Sequence, residues 1–222
     1  MQQISGRNAV LAVLNDPAFV VPPVPLGSAG VAWLRASVGR FSSGEAYERR
    51  RALSIAILDA IPLDSLAARG PMHPVAILAR EMGADESVVD LVWDVAQAYQ
   101  PGTGDEFVAD AAVDRLVAVF GGVFDEHTAA RIGVLVQACQ ATTVLIERAW
   151  LRPVDDVLRD DPPVPATKRQ ALVTTTVGDV TVEAGEVVQV RLAGDLAFGA
   201  GPRRCPGRAH ALALAFIDGA LA

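Results

Sequence analysis

What this chain has little of narrows its class. Two cysteines in 222 residues cannot make a disulfide scaffold, so the chain fits a reducing compartment and each thiol is left to its own chemistry. Positive charge is not in excess. Lysine plus arginine total 19 against 26 acids, a net charge of −7, which argues against generic nucleic-acid binding unless the bases cluster. The longest helix-compatible apolar run, Ile132 to Ile146, is interrupted by Gln137, Gln140, Thr142 and Thr143 and falls short of the roughly 18 residues of a membrane span. Met1 to Leu14 carries only Arg7 and a short apolar run, a poor signal peptide. No phosphate loop, dinucleotide fingerprint or serine-hydrolase elbow occurs. His73, His127 and His210 lie far apart, without metal-ligand spacing, and read as surface or capping residues. The expectation is a soluble cytoplasmic protein with neither membrane nor nucleic acid as partner.

What is present is a chain able to fold. Its hydrophobic set is 51% and its charged set 20%, and its length suits one domain or at most two small ones. Roughly two-thirds of it reads as helix. Helical spacing runs from Gly44 to Ile61 and stops at Pro62; Pro74 to Met82 and Glu86 to Tyr99 follow, separated by a Gly83-Ala84-Asp85 turn. Phe107 to Phe120 is the next helix, closed by Gly121-Gly122. Asp125 is the expected N-cap of a long helix to about Trp150, with Ala129, Ile132, Leu135, Val136, Cys139, Thr143 and Ile146 near one face. A short segment after Pro153 ends at Asp161-Pro162-Pro163. Arg169 to Arg191, rich in valine and threonine, then reads as two or three short strands with tight turns. A glycine-, proline- and arginine-rich loop, Ala197 to Gly207, leads into an alanine/leucine helix to the end. No internal repeat or long linker is visible. The pattern is one domain, mainly α with a small β-sheet.

The informative segment is Phe198-Gly199-Ala200-Gly201-Pro202-Arg203-Arg204-Cys205-Pro206-Gly207. Cys205 is placed to cap a helix, with Pro206 in the first turn where its missing N–H costs nothing. A helix N-terminus and two adjacent arginines favour thiolate over thiol. Gly199 and Gly201 let the loop fold tightly with backbone N–H groups toward the sulfur, and Phe198 can shield it from water. A thiolate prepared this way is a nucleophile or a metal ligand. The plain alternative is a small apolar cap residue.

FGAGPRRCPG resembles the haem-ligand loop of the cytochromes P450: phenylalanine–glycine–x–glycine–x–basic–x–cysteine–x–glycine. Its six fixed positions match by chance in roughly one chain in a hundred thousand or fewer. Three further stretches match in order. Ala138 to Thr143 (ACQATT) resembles the distal-pocket stretch of the family's long central helix. Asp156 to Val164 (DVLRDDPPV) resembles its glutamate–x–x–arginine helix and double proline. Val164 to Arg169, Gly178 and Ala184-Gly185 track the short sheet beside the haem. More weakly, Val10 to Phe19 and Tyr47 to Leu53 (YERRRAL) resemble the segments before and within a helix that bears a propionate-binding arginine. The resemblance implies a compact, truncated cytochrome P450-like fold over residues 1–222 as a single haem-binding domain. It also implies haem b with Cys205 as iron ligand, and Phe198, Gly199, Gly201, Ala138, Arg203, Arg169 and, less directly, Arg50 around the cofactor. Thr142 is then the distal catalytic threonine. The simpler readings remain open: an exposed solubilising charge for each arginine, and for Thr142 a hydroxyl bonded back to its own helix.

The chain also departs from the family pattern. Helices are trimmed or lost between Tyr47 and Gln137. Seven residues separate Val190 from Phe198, where the family has a helix and a long meander. Seventeen residues follow Cys205, too few for the family's carboxy-terminal strands. The amino-terminal helix and strands of the large sheet are expected to be missing. Ala141 stands where the family has a carboxylate, Cys139 where it has glycine, Asp156 where it has glutamate, and Ala46 where a histidine often precedes the arginine at position 50. The carboxylate–threonine pair delivers protons to iron-bound oxygen in the family, so its loss points away from ordinary oxygen activation. Asp156 and Arg159 form either the family's pair or a solvated helix pair, and Cys139 reads as a buried inert thiol.

The implied function is oxidoreductase: a monooxygenase inserting oxygen from O2 into a small organic substrate, with electrons from a ferredoxin and its reductase. Arg49, Arg51, Arg204 and Arg208 form a basic patch that would attract an acidic ferredoxin. The alternatives are a haem-thiolate catalyst of another type (peroxide-driven, dehydration, isomerisation or cyclisation) and a non-catalytic haem-binding relic or partner subunit. A chain this short is expected to leave part of the haem uncovered, a gap closed by self-association or a partner protein.

Overall fold

The computed structural model describes residues 1–67 and 72–215. The chain begins with β1 (Gln3–Ile4), α1 (Arg7–Asn15) and β2 (Phe19–Val20). Seven helices follow: α2 (Gly30–Ser37), α3 (Gly44–Asp59), α4 (Leu63–Ala67), α5 (Pro74–Glu81), α6 (Val88–Ala98), α7 (Glu106–Val119) and α8 (Glu126–Ala149). After α9 (Val154–Asp160) come β3 (Ala166–Ala171), β4 (Thr175–Val177), β5 (Val180–Val182) and β6 (Val187–Arg191), then α10 (Arg208–Ala215). The architecture is mainly helical with a small sheet. The last part of the expected carboxy-terminal helix lies outside the described residues. Two compact units are formed, one from Met1–Pro22 with Arg148–Arg208, the other from Pro23–Glu147 with the chain from Ala209 onward.

The first unit is built on a four-stranded sheet in the order β1-β6-β3-β2. β6 pairs parallel with β1 and antiparallel with β3, and β3 pairs antiparallel with β2. The alternation of β6 explains its central place: Val188 and Val190 are fully buried, while Val187 and Gln189 on the other face are half-buried. β4 and β5 form a hairpin turned at Gly178-Asp179, where Gly178 takes φ +61°. Ile4, Val10, Val13, Leu14 and Phe19 join Val188, Val190, Leu192 and Leu196 in one core. β1 and β2 thus add amino-terminal strands to the sheet that the sequence pattern does not announce, while α1 overlaps the Val10 to Phe19 stretch matched ahead of the arginine-bearing helix. Two-residue strands carry no alternation for a sequence pattern to register, and their residues are recruited by the partners β6 and β3.

In the second unit α8 contributes one face to a core shared with α2, α5, α6 and α7. Ala129, Ile132, Leu135, Val136 and Cys139 are buried on the expected face, with Thr143 and Ile146 half-buried. By length and composition α8 would suffice to cross a membrane, although its polar residues had suggested otherwise; 56% of the relevant window is buried inside the protein, as in a core helix. Two of its polar interruptions bond back along the helix. Gln137 Nε2 donates to Gly133 O at 3.1 Å and Thr143 Oγ1 to Cys139 O at 2.6 Å. Asp125 caps the helix as expected, accepting from Thr128 N at 2.7 Å, and that bond holds its carboxyl below the usual range. His73 caps α5, its Nδ1 accepting from Val75 N at 3.2 Å. His210 is buried rather than at the surface, and its Nε2 lies 2.9 Å from the carbonyl oxygen of Leu58, one of the terminal carbonyls of α3.

α2 is gripped at both ends by α7 and the end of α6. At its start Asp110 Oδ1 accepts from Val31 N at 2.7 Å; Gly30 takes φ +57°, and a Cβ there would stand 2.0 Å from the same carboxylate oxygen. Toward its end Arg35, only 2% exposed, donates through Nε to Tyr99 O at 3.1 Å and through Nη2 to Ala98 O and to Glu106 Oε1. One buried guanidinium thus satisfies carbonyls at the C-terminus of α6 and the carboxylate that opens α7.

Arg35→Met should destabilise the protein by about 2–4 kcal/mol, because it strips buried carbonyls of their donor. Glu106→Gln should cost under about 1 kcal/mol, since that carboxylate is 51% exposed and water can replace the lost contact. Urea unfolding of both variants checks the pair; equal shifts would show that the carbonyl contacts of Arg35 carry nothing.

Candidate functional site

The cysteine loop belongs to the first unit, and three main-chain bonds fold it on itself. Gly199 N donates to Leu196 O at 2.8 Å, Cys205 N to Phe198 O at 2.9 Å and Arg204 N to Gly201 O at 3.1 Å. Between them the chain turns through Gly199 at φ +73° and Gly201 at φ +65°, conformations that favour glycine. Gly201 has a second constraint. A Cβ there would stand 2.6 Å from Asn15 Oδ1 and 2.8 Å from Leu14 O, so the loop lies directly on the C-terminal end of α1.

The other end of α1 holds the approach to the loop. Arg7 donates to Asp195 Oδ2 through Nε at 3.0 Å and Nη2 at 2.8 Å, and Asp195 lies in the 3₁₀ turn Gly194–Leu196. That pairing lowers the Asp195 carboxyl. Arg7, Leu14 and Asn15 are supports of the loop that no motif in the sequence marks. The available signal was Arg7, a lone cation ahead of an apolar helical run.

Cys205 itself is exposed. It lies three residues before α10 rather than capping it, because Pro206 and Gly207 form a turn of their own before the helix begins at Arg208. Arg203 and Phe198 are half-buried, while Arg204 and Arg208 are exposed, and the Arg208 guanidinium stands 5.7 Å from the centre of the Phe198 ring. Arg169, in the same unit, is 6% exposed on β3 and donates to Thr167 Oγ1 at 3.0 Å and Lys168 O at 2.8 Å. Asp156 and Arg159 pair at 2.6 Å with side chains 40% and 60% exposed, the geometry of a solvated helix pair.

The candidates of the second unit divide between α8 and α3. Ala138, half-buried, and Thr142, buried, lie four residues apart on one face of α8. The bond back to the helix is made by Thr143; among the described residues the Thr142 hydroxyl makes no hydrogen bond. Burial pushes the Cys139 thiol up to about 11, so it stays protonated and inert. On α3, Arg50 donates to Glu126 Oε1 at 2.8 Å and to Ser42 Oγ, and Arg49 forks onto both Glu126 oxygens at 2.7 and 2.9 Å. The hydrogen bond from Arg49 is the largest influence on Glu126, and with Arg50 it holds that carboxyl down at about 2.

The loop's donor set fits a thiolate-bound haem: one accessible sulfur on a tight turn, cations beside it for anionic propionates, and an aromatic ring adjoining. Among the described residues no group of three or more histidine, cysteine or acidic side chains is placed to hold a metal ion.

No protein-family model matches the chain, and no curated protein does. Solved structures do. P450BioI in complex with hexadec-9Z-enoic acid ligated acyl carrier protein matches with TM-score 0.71 and 16% identity, over 96% of this chain and 82% of that one. CalO2 matches with TM-score 0.71 and 16% identity, over 96% and 81%. CYP109E1 from Bacillus megaterium, in complex with testosterone, gives TM-score 0.67 and 16% identity, over 96% and 81%. At such identity the likeness concerns the fold, and it agrees with the cysteine loop read from the sequence: this 222-residue chain has the fold of a cytochrome P450.

Proposed function

We propose that the chain is a haem-thiolate oxidoreductase working as a monooxygenase, inserting one oxygen atom of O2 into a small organic substrate in the cytoplasm. The observation that carries this reading is the cysteine loop, intact in its six fixed positions and folded tightly with its sulfur accessible. Bound haem b supplies the oxygen chemistry, and a thiolate ligand donates the electron density that favours O–O cleavage. Cys205 is the proposed ligand. Gly199 and Gly201 shape the turn that presents it, and Phe198 would help shield the sulfur once haem is bound. Arg203 and Arg169 hold propionates by forked hydrogen bonds, as guanidinium does with carboxylate. Arg50 is a third propionate donor only by exchanging part of its contact with Glu126. On α8, Ala138 and Thr142 are the proposed distal residues, a small side chain and a hydroxyl that would serve a bound ligand or water. A ferredoxin and its reductase supply electrons, drawn to the arginines at 49, 51, 204 and 208.

One observation favours a second reading, the haem-thiolate catalyst without the usual proton delivery. Ala141 places no acid beside Thr142, and the Thr142 hydroxyl has no hydrogen-bond partner among the described residues. Peroxide-driven oxidation, dehydration, isomerisation or cyclisation asks less of that position. Turnover with NAD(P)H and a redox chain, against turnover with peroxide alone, separates the two; turnover with neither leaves a haem-binding relic.

Haem-loaded protein should show the red-shifted ferrous–carbon monoxide Soret band of thiolate ligation, and Cys205→Ala should abolish it. A variant that keeps the band removes the central claim.

Ala141→Glu should raise coupled, NADPH-driven product formation about tenfold or more, given the 10²–10⁴-fold contribution of a positioned acid. Efficient wild-type oxygenation that is lost in this variant would reveal another proton path.

Gly201→Ala should cost about 3 kcal/mol and reduce haem retention, because it adds a clash with Leu14 and Asn15 to the strain of a positive φ. Gly199→Ala meets only that strain and should cost about 1–2 kcal/mol. Denaturant melts and haem titrations compare them; an equal or reversed order would show that the seat on α1 does not hold the loop.

A further inference from the structure

The first turn of α5 has a donor that only a side chain serves. Pro74, its first residue, has no N–H to give, and Ala76 N and Ile77 N both reach the His73 carbonyl oxygen, at 2.9 and 3.2 Å. That leaves Val75 N without a main-chain acceptor among the described residues. It donates instead to the His73 ring, with Nδ1 at 3.2 Å. Water is a poor substitute there, because Val75 is fully buried and every residue from Pro74 to Ala79 is buried with it. An imidazole nitrogen accepts only while it carries no proton, so the bond requires the neutral ring with its proton on Nε2. Thr143 on α8 suits that tautomer. Its Oγ1 lies 3.5 Å from Nε2, and its own hydrogen goes to Cys139 O, which leaves the oxygen to accept.

We propose that His73 is a pH-operated clasp: a proton on Nδ1 sets a ring N–H against the Val75 N–H, turns the ring out and opens the head of α5 where it meets α8. No neighbouring group steadies a charged ring. On α5 the charges nearest in the chain are Arg80 and Glu81, and Arg80 pairs with Glu86 at 2.9 Å. On α8 the ring meets Thr143; Cys139, one turn before it, is a protonated thiol, and Glu147, one turn after it, is exposed. Among the described residues no acid bonds either ring nitrogen. Burial lowers the ring's affinity for a proton, the same direction that the lost bond to Val75 N imposes. The folded ring therefore titrates below the ordinary value of 6.5, so the clasp is closed above that pH and opens as the pH falls through the folded value. Thr143 adjoins Thr142, so the helix that loses this contact is the one carrying the proposed distal hydroxyl.

NMR of the isotope-labelled full chain from about pH 8 to about pH 5 tests this. The neutral His73 ring should be the Nε2–H tautomer and should titrate below the ordinary histidine range, and the Val75 amide resonance should move with it on one curve. His127 and His210, the other two histidines of the chain, serve as internal references. His73→Asn keeps an acceptor at the cap that does not titrate. In urea, the folding equilibrium constant of wild type should fall about tenfold more than that of His73→Asn between about pH 7.5 and about pH 5, the cost of orphaning one buried N–H. A neutral ring in the Nδ1–H tautomer overturns the proposal. So does a Val75 amide that ignores the His73 titration, or an equal loss in wild type and His73→Asn.

Discussion

The cysteine loop depends on one close approach. Gly201 stands where any side-chain carbon would collide with Leu14 O and Asn15 Oδ1, and its backbone takes a φ that other residues resist. That seat determines the value of the rest of the first unit. α1 is held by the sheet through Val10, Val13 and Leu14, and it carries the loop at one end while Arg7 ties Asp195 at the other. The sheet, the helix and the loop are consecutive links: two-residue strands anchor α1, and α1 anchors the turn that presents the sulfur.

The second unit reaches the same economy by polar means. Arg35 is a full positive charge in a nearly dry place, which is costly unless every donor is used. It is stable there because its targets are groups that would otherwise be orphans, the terminal carbonyls of α6 and the first carboxylate of α7. Asp110 does the mirror-image task at the start of α2. Glu126 similarly collects Arg49 and Arg50 at the first turn of α8, where a negative charge is favoured by the helix dipole. The helices are short, and side-chain bonds at their ends replace part of the interhelical packing that longer ones would provide.

Long helices and the site motif were legible in the sequence because each carries a redundant signal. α8 had a capping aspartate, a heptad-like apolar face and a clean end, and the structure starts it one residue after Asp125. α7 and α6 were read to within about two residues, an ordinary disagreement at frayed ends. α2 was not anticipated, since its eight residues are buried largely through contacts made by residues far along the chain, such as Asp110 and Glu106. β1 and β2 were missed for the same reason. The site divides likewise: Cys205 and its glycines announce themselves by spacing, whereas Leu14 and Asn15 matter only by position in space. Helix N-capping by Cys205 was inferred from Pro206, and the structure shows that Pro206-Gly207 makes a separate turn instead.

The adjacent threonines of α8 show how little proton chemistry that helix retains. Thr143 spends its hydroxyl on Cys139 O, a bond that needs no partner outside the helix, and its oxygen lies 3.5 Å from His73 Nε2. His73 in turn uses Nδ1 to accept from Val75 N, and burial lowers its affinity for a proton. Cys139 keeps its proton by burial. Ala141 has none to give. Of the polar groups from 138 to 143, Thr142 is the one whose buried hydroxyl is not already committed within the described residues. Under the proposed reading, a proton reaching this helix must then come through water bound at that hydroxyl, or the reaction must be one that needs no proton there. The choice between oxygen-driven and peroxide-type chemistry therefore turns on what binds Thr142, not on the thiolate side.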